Sequence, residues 1–221
     1  SPVSYEVWVG TSAGVNIYDS SEKGGMFKSF KNLKGDIGVN QIVFSEKGMW
    51  FGFDGAGVVK AKSFLEVDSV LSSVKSITNN HIIYDLFEDR HHAVWAGSSY
   101  GLEMYSSQSN IFSHYVDFIK EDGVKIKDNT IWSILEDRKG KVWIGSRNGI
   151  TGWDKQKGSF VTKSDLSNSE NYKSFKSVLS SYEDSRGNLW AGTIDQVLLL
   201  KRDKQKAMEK EVADKIKEIL G

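Results

Sequence analysis

The chain has 221 residues, 39% hydrophobic and 26% charged, a balance that places it among globular proteins and excludes disorder along its whole length. Lys plus Arg equals Asp plus Glu at 29 each, so no net field draws in a phosphate backbone, and a nucleic-acid partner is disfavoured. The longest aliphatic run, Val197 to Leu200, is far short of the roughly 20 residues of a spanning helix, so no membrane insertion by this chain is expected.

In chain order, five Trp residues are each followed two positions later by Gly. Trp8/Gly10 opens the first unit almost at its Trp, with Gly14, Val15 and Tyr18 after it, so that unit is expected to lack its innermost strand. Trp50/Gly52 marks a divergent second unit, with a shorter turn, Phe53 in place of Thr or Ser, and no closing aromatic. Trp95/Gly97 is preceded by Glu88-Asp89 and followed by Gly101, Leu102 and Tyr105. Trp143/Gly145 has Glu136-Asp137 and Gly140 before it, and Gly149, Ile150 and Trp153 after it. Trp190/Gly192 repeats the acidic pair at Glu183-Asp184 and the turn at Gly187, then runs into Val197–Lys201. The Trp residues stand 42, 45, 48 and 47 residues apart, so the chain is a tandem array.

The fourth unit shows what each repeat folds into. Residues 129–137 have the apolar density of a buried strand, and Gly140 in the next turn can take the left-handed conformation. Residues 141–146 form a second strand in which Gly145 leaves room for a neighbour, 149–154 a third, and 158–162 a weaker fourth. Four short antiparallel strands per repeat of about 45 residues indicate a propeller blade, not a helical solenoid. The expected fold is all-β: a β-propeller of about five four-stranded blades over residues 1–203, with all five repeat Trp residues buried between blades. Residues 204–221 read as a C-terminal amphipathic helix, with Met208, Val212, Ile216 and Ile219/Leu220 on one face. This helix is expected to cover the outer edge of the last blade, which lacks a fourth strand, or to pair with a second copy.

The pattern Glu-Asp, Gly turn, Trp-Ile-Gly-Ser-x-x-Gly-Ile-x-x-Trp-Asp, read over Glu136–Asp154, resembles the two-component regulator propeller repeat. The resemblance implies the extracytoplasmic sensor region of a bacterial hybrid two-component protein or a related kinase or cyclase. It further implies a periplasmic or extracytoplasmic location and a non-catalytic, ligand-sensing role. The implied partners are a small-molecule or oligosaccharide ligand, the latter carbohydrate-derived, and a homodimer or the remainder of a larger propeller of which these blades are an arc. The alternative reading is a lectin-like or protein-interaction scaffold without a signalling role. A chain that starts at Ser1, without Met or a signal-peptide pattern, is expected to be a processed product or a piece of something longer.

Catalytic signals are weak. Gly10-Thr-Ser12-Ala-Gly14 and Gly97-Ser-Ser99-Tyr-Gly101 match the nucleophile-elbow spacing, but both fall at one repeat position and lead into a strand instead of a helix. His81, His91, His92 and His114 show no zinc spacing and Cys is absent, so no metal site and no cofactor are expected. His91 and His92 read as an exposed hairpin tip. The Glu-Asp pairs read as turn caps, because adjacent strand residues face opposite ways. Candidate ligand contacts are therefore placed in the variable turns of one rim. Ser12, Asp54, Tyr100, Arg147, Asn148 and Asp195 lie between second and third strands; Asn40, Asn80, His81, Asn129 and Lys173 lie on the connections between blades. Of these, Tyr100, Arg147, Asn148, Asp54, His81 and Asn129 are the ligand-binding candidates.

Overall fold

The computed structural model describes residues 6–21, 25–31, 37–73, 81–106, 111–115, 117–119, 125–127, 130–154, 159–161 and 177–201. The chain divides into two compact units, Ser1–Asp117 with Lys127–Ile134, and Phe118–Ile126 with Leu135–Gly221.

The first unit holds three antiparallel sheets. β1 (Glu6–Thr11), β2 (Gly14–Asp19) and β3 (Met26–Lys31) form the first; β4 (Val39–Ser45), β5 (Gly48–Phe53) and β6 (Val58–Ala61) form the second. β7 (Ile83–Glu88), β8 (Val94–Ser98), β9 (Gly101–Ser106) and β10 (Ile111–Tyr115) form the third, in spatial order 10-9-8-7. A single-turn 3-10 helix at Phe64–Glu66 leads into a short helix α1 (Val67–Ser73), which the sequence reading did not anticipate. It follows the divergent second repeat, where Ala61 faces Met49 in place of a closing aromatic, and its Val67 and Leu71 complete the core around Phe51 and Phe53. β11 (Asp117–Ile119) and β12 (Lys125–Lys127) follow, and β13 (Ile131–Glu136) begins in the first unit and ends in the second.

In the second unit, β14 (Val142–Ser146), β15 (Gly149–Asp154) and β16 (Ser159–Val161) pair in antiparallel order, and β11 joins β16 in parallel at Ile119 and Val161. β17 (Ser180–Glu183), β18 (Leu189–Gly192) and β19 (Val197–Lys201) form the last sheet. The array is thus a set of small antiparallel propeller blades. The first, second and last show three strands among the described residues and the third shows four. The amphipathic segment 204–220 lies outside the described residues.

The Trp-x-Gly glycine sets how closely successive blades approach. A Cβ on Gly52 would meet Ile83 Cγ2 at 2.6 Å and Leu86 Cδ1 at 3.1 Å, and one on Gly97 would meet Ile131 Cγ2 at 2.9 Å. At Gly10 the obstacle is backbone, the carbonyl oxygen of Val39. In each case the neighbour is the start of the next innermost strand, so the glycine lets two sheets close to van der Waals contact. The adjacent Trp is then covered by that next blade. Trp50 packs with Ile83, Leu86, Val94 and Ala96, and Trp143 packs with Val178, Leu189, Ala191 and Leu198. Trp50, Trp95 and Trp143 are buried as expected. Trp8 and Trp190 are not: both are partly exposed, which corrects the reading of five buried Trp residues. The cause at Trp190 is the absence, among the described residues, of a following blade.

Candidate functional site

Each blade has two turns, and they differ in chemistry. At one end, the turn between first and second strands closes on an aspartate. Asp89 Oδ1 accepts the backbone N–H groups of His91 and Ala93, both at 2.9 Å, while Oδ2 accepts the indole N–H of Trp95 at 2.8 Å. Asp137 repeats this with Lys139, Lys141 and Trp143, and Asp184 with Arg186, Asn188 and Trp190, all at 2.9 Å. The Trp190 indole first, then Asn188, hold the Asp184 carboxyl well below the usual carboxylate range. The aspartate of each acidic pair is therefore a turn cap. In the second blade Ser45 Oγ takes the aspartate's place and receives the Trp50 indole at 3.3 Å. The left-handed residue of this turn is Gly140 (φ 79°) or Gly187 (φ 78°), and in the third blade it is His92 (φ 61°). His91 and His92 are exposed at that hairpin tip, as read from the sequence.

At the opposite end, the turn between second and third strands is held by a hydroxyl. Ser98 Oγ donates to the Gly101 carbonyl (2.9 Å) and accepts the Tyr100 N–H (3.1 Å), and Ser146 does the same with Gly149 (3.2 Å) and Asn148 (3.1 Å). Ser12 and Ser99 sit in such turns between antiparallel strands, which rules out a nucleophile elbow at either. Backbone bonds tie these turns to the segments that lead into the innermost strands. Asp54 N–H donates to Gly38, Gly57 N–H to His81 and Ser99 N–H to Ile82 in the first unit, and Ser177 N–H to Arg147 in the second, at 2.9 to 3.0 Å. In the first unit, Asp54 and Tyr100 therefore share one rim with Asn40 and His81.

On the rim of the first unit, His81 and Tyr100 stack with ring centroids 4.6 Å apart at 9°, and Tyr100 stacks with His114 at 5.9 Å and 20°. Tyr100 keeps 52% of its surface exposed while held between two imidazoles. His114 Nδ1 lies 3.7 Å from Oε1 of Glu103, a buried carboxylate directly opposite it in the β9–β10 register. Burial, and then the nearby His81, hold the His114 imidazole below its ordinary value. His81 Nε2 is buried, with no hydrogen-bond partner among the described residues. Asp54 is exposed on the corresponding turn of the second blade. In the second unit, Arg147 and Asn148 are both exposed in the β14–β15 turn. Asn129 lies outside the described residues, as do Asn80 and Lys173. Asn40 is occupied: its side-chain amide donates to the Ile83 carbonyl at 3.0 Å. Sequence reasoning did not assign His114 and Glu103 to the rim. The available signal was a Glu at a strand position where sister repeats carry Asn16 and Thr151. Among the described residues, no group of His, Asp and Glu is placed to hold a metal ion.

Residues 125–148 and 173–195 match the family described as two component regulator propeller. The chain carries two-component regulator propeller repeats. Among solved structures, it is similar to the extracellular domain of a putative hybrid two component system from B. thetaiotaomicron, at 20% identity and TM-score 0.59, over 85% of this chain and 24% of that one. A second such domain from the same organism is 17% identical, with TM-score 0.39, over 87% of this chain and 32% of that one. The first likeness shows the fold of the propeller repeats. The chain spans about a quarter of the length of that structure. No curated protein matches it. No helix among the described residues is long and apolar enough to cross a membrane.

Proposed function

We propose that this chain is a non-catalytic, ligand-sensing propeller segment of an extracytoplasmic two-component-type receptor, and that its ligand is carbohydrate-derived. The family match and the extracellular setting of the similar domain support the receptor role. The observation that carries the ligand site is the His81–Tyr100–His114 stack. A half-exposed tyrosine, fixed between two imidazoles on a rim of short turns, offers a pre-ordered apolar edge together with a hydroxyl. Asp54 adds a polar contact in the first unit, with Asn129 assigned from the sequence, and Arg147 and Asn148 are the candidate contacts of the second unit, taken by itself. Signalling requires that the ligand bind one arrangement of the receptor better than another, because only differential affinity shifts such an equilibrium.

Titration calorimetry against an oligosaccharide panel tests the reading. An oligosaccharide that binds should lose at least tenfold in affinity on Tyr100→Ala with His81→Ala, with little change in Tm. Full affinity in the double variant removes the stack from the site, and a panel without any binder removes the carbohydrate assignment. Arg147→Ala with Asn148→Ala tests the second unit separately: unchanged affinity would take both residues out of the candidate set.

A further inference from the structure

One cross-strand place is filled differently in the first and third blades. Asn16 pairs with Ser29 in the β2–β3 register, and Ser29 Oγ donates to Asn16 Oδ1 at 2.6 Å. Glu103 pairs with His114 in the β9–β10 register, where Oε1 and Nδ1 stand 3.7 Å apart, too far for a hydrogen bond. The first pair is neutral and closed, so the fold does not demand ionisable groups at this place. The second sets a carboxylate that is only 6% exposed beside an imidazole that reaches solvent. Burying a carboxylate is costly unless a positive or hydrogen-bonding group serves it. That imidazole is also one wall of the Tyr100 stack, and the looser one: 5.9 Å and 20° for His114, against 4.6 Å and 9° for His81.

We propose that His114 is a proton-operated wall of this stack: neutral, it clamps Tyr100 against His81, and protonated, it turns to the Glu103 carboxylate and leaves that side of the tyrosine open. A hydrogen bond from an imidazolium to a carboxylate is about 2.7 to 2.9 Å long, so closing the gap to Glu103 shifts the imidazole by about 0.8 to 1 Å. The looser contact yields, while His81 keeps the other face of Tyr100. The titratable groups facing His114 are Glu103 on β9, Tyr100 in the β8–β9 turn and His81 on the segment entering β7. Burial, and then His81, disfavour the charge and place the event below the ordinary imidazole value. Glu103 supplies the oxygen that receives the charged form, and the proton comes from solvent, to which His114 is open. The candidate site of the first unit is then complete near neutral pH and loosened in acid. That consequence rests on the ligand reading of Tyr100; the motion of the ring does not.

NMR of the imidazole Cε1–H and tyrosine ring resonances between pH 8 and pH 4.5 tests it, with His114 assigned through His114→Gln. The His114 midpoint should lie below that of the same residue in the urea-unfolded chain, and the Tyr100 ring resonances should move with it. Glu103→Gln should lower the midpoint further, and His81→Phe, which keeps a ring against Tyr100, should raise it. Tyr100 resonances that ignore the His114 titration overturn the proposal, and so does a midpoint indifferent to Glu103→Gln. Where Glu103→Gln fails to fold, His114→Gln in the His81→Phe background decides. It should abolish the acid shift at Tyr100, and a shift that persists overturns the proposal. Binding is a separate arm: an oligosaccharide that binds at pH 7 should bind at least about threefold more weakly at pH 5, and His114→Gln should remove that difference. Equal affinity at both pH values overturns the control of binding. A panel without any binder overturns the ligand reading alone, and the NMR result then decides the ring motion by itself.

Discussion

In the third blade Asp89 makes three hydrogen bonds around its turn, the last to the Trp95 indole, and Trp95 and Leu102 are buried. In the last blade Asp184 makes the same three bonds, yet Trp190 is partly exposed and Val197 stands in solvent. The turn is therefore a local device that forms whether or not the face beside it is covered. Burial of the Trp comes from the following blade, so the same motif carries different stability at different places in the array.

Truncating the tryptophans tests that difference most strongly. Trp143→Ala should cost about 3 to 5 kcal/mol, the usual range for deleting a buried aromatic, and Trp190→Ala markedly less. Urea unfolding of the two variants checks it, and equal losses would mean that the last face is covered. Next come the caps. Asp137→Ala leaves two turn N–H groups and a buried indole unsatisfied and should cost roughly 1 to 3 kcal/mol. Asp184→Ala should lower Tm by less, since water can reach its donors; a larger loss there would contradict the ranking.

A smaller effect is expected at the residue facing the glycine. In the third blade this is Asp85, whose Oδ2 accepts the Ile134 N–H at 2.7 Å; in the last blade it is Ser180. Burial pushes the Asp85 carboxyl up to about 6, outweighing the Ile134 hydrogen bond that favours the charged form. The folded chain thus holds this proton more tightly than the unfolded one. The contribution is most favourable below the ordinary Asp range and is lost as pH rises through 6. Asp85→Asn should flatten the fall in Tm between pH 4.5 and pH 7, and an unaltered slope would place the titration elsewhere.

The array, its spacing and the strands around Trp95 and Trp143 were legible because Trp, Gly and Asp recur at fixed offsets and each answers one local demand. The partner of the aspartate was not, since a carboxylate six residues before a Trp can cap a turn without touching the indole. Partial exposure of Trp190 was also hidden, because burial there depends on what lies beyond the repeat; nothing in the repeat marks Trp8 as partly exposed. On the rim, Tyr100 and His81 could be picked out as variable turn residues. Their stacking could not, and neither could the arrival of His114 from β10, because both depend on packing between segments far apart in sequence. α1 follows the second repeat, which lacks the closing aromatic, and nothing in its short sequence marks it as a helix.

The bonds from Asn40 and Gln41 run forward 43 residues to Ile83 and Tyr84, and that from Asp85 runs forward 49 to Ile134. Each therefore closes a loop about one repeat long, a modest entropic demand for a β protein. On the ribosome this makes assembly directional. A finished blade waits at the surface with its glycine exposed, and the next stretch of about 45 residues seats on it as soon as it emerges, before anything farther downstream exists. A pause in translation between repeats would leave a single open apolar face, as at Trp190 and Val197, so the nascent chain would expose one adhesive surface at a time.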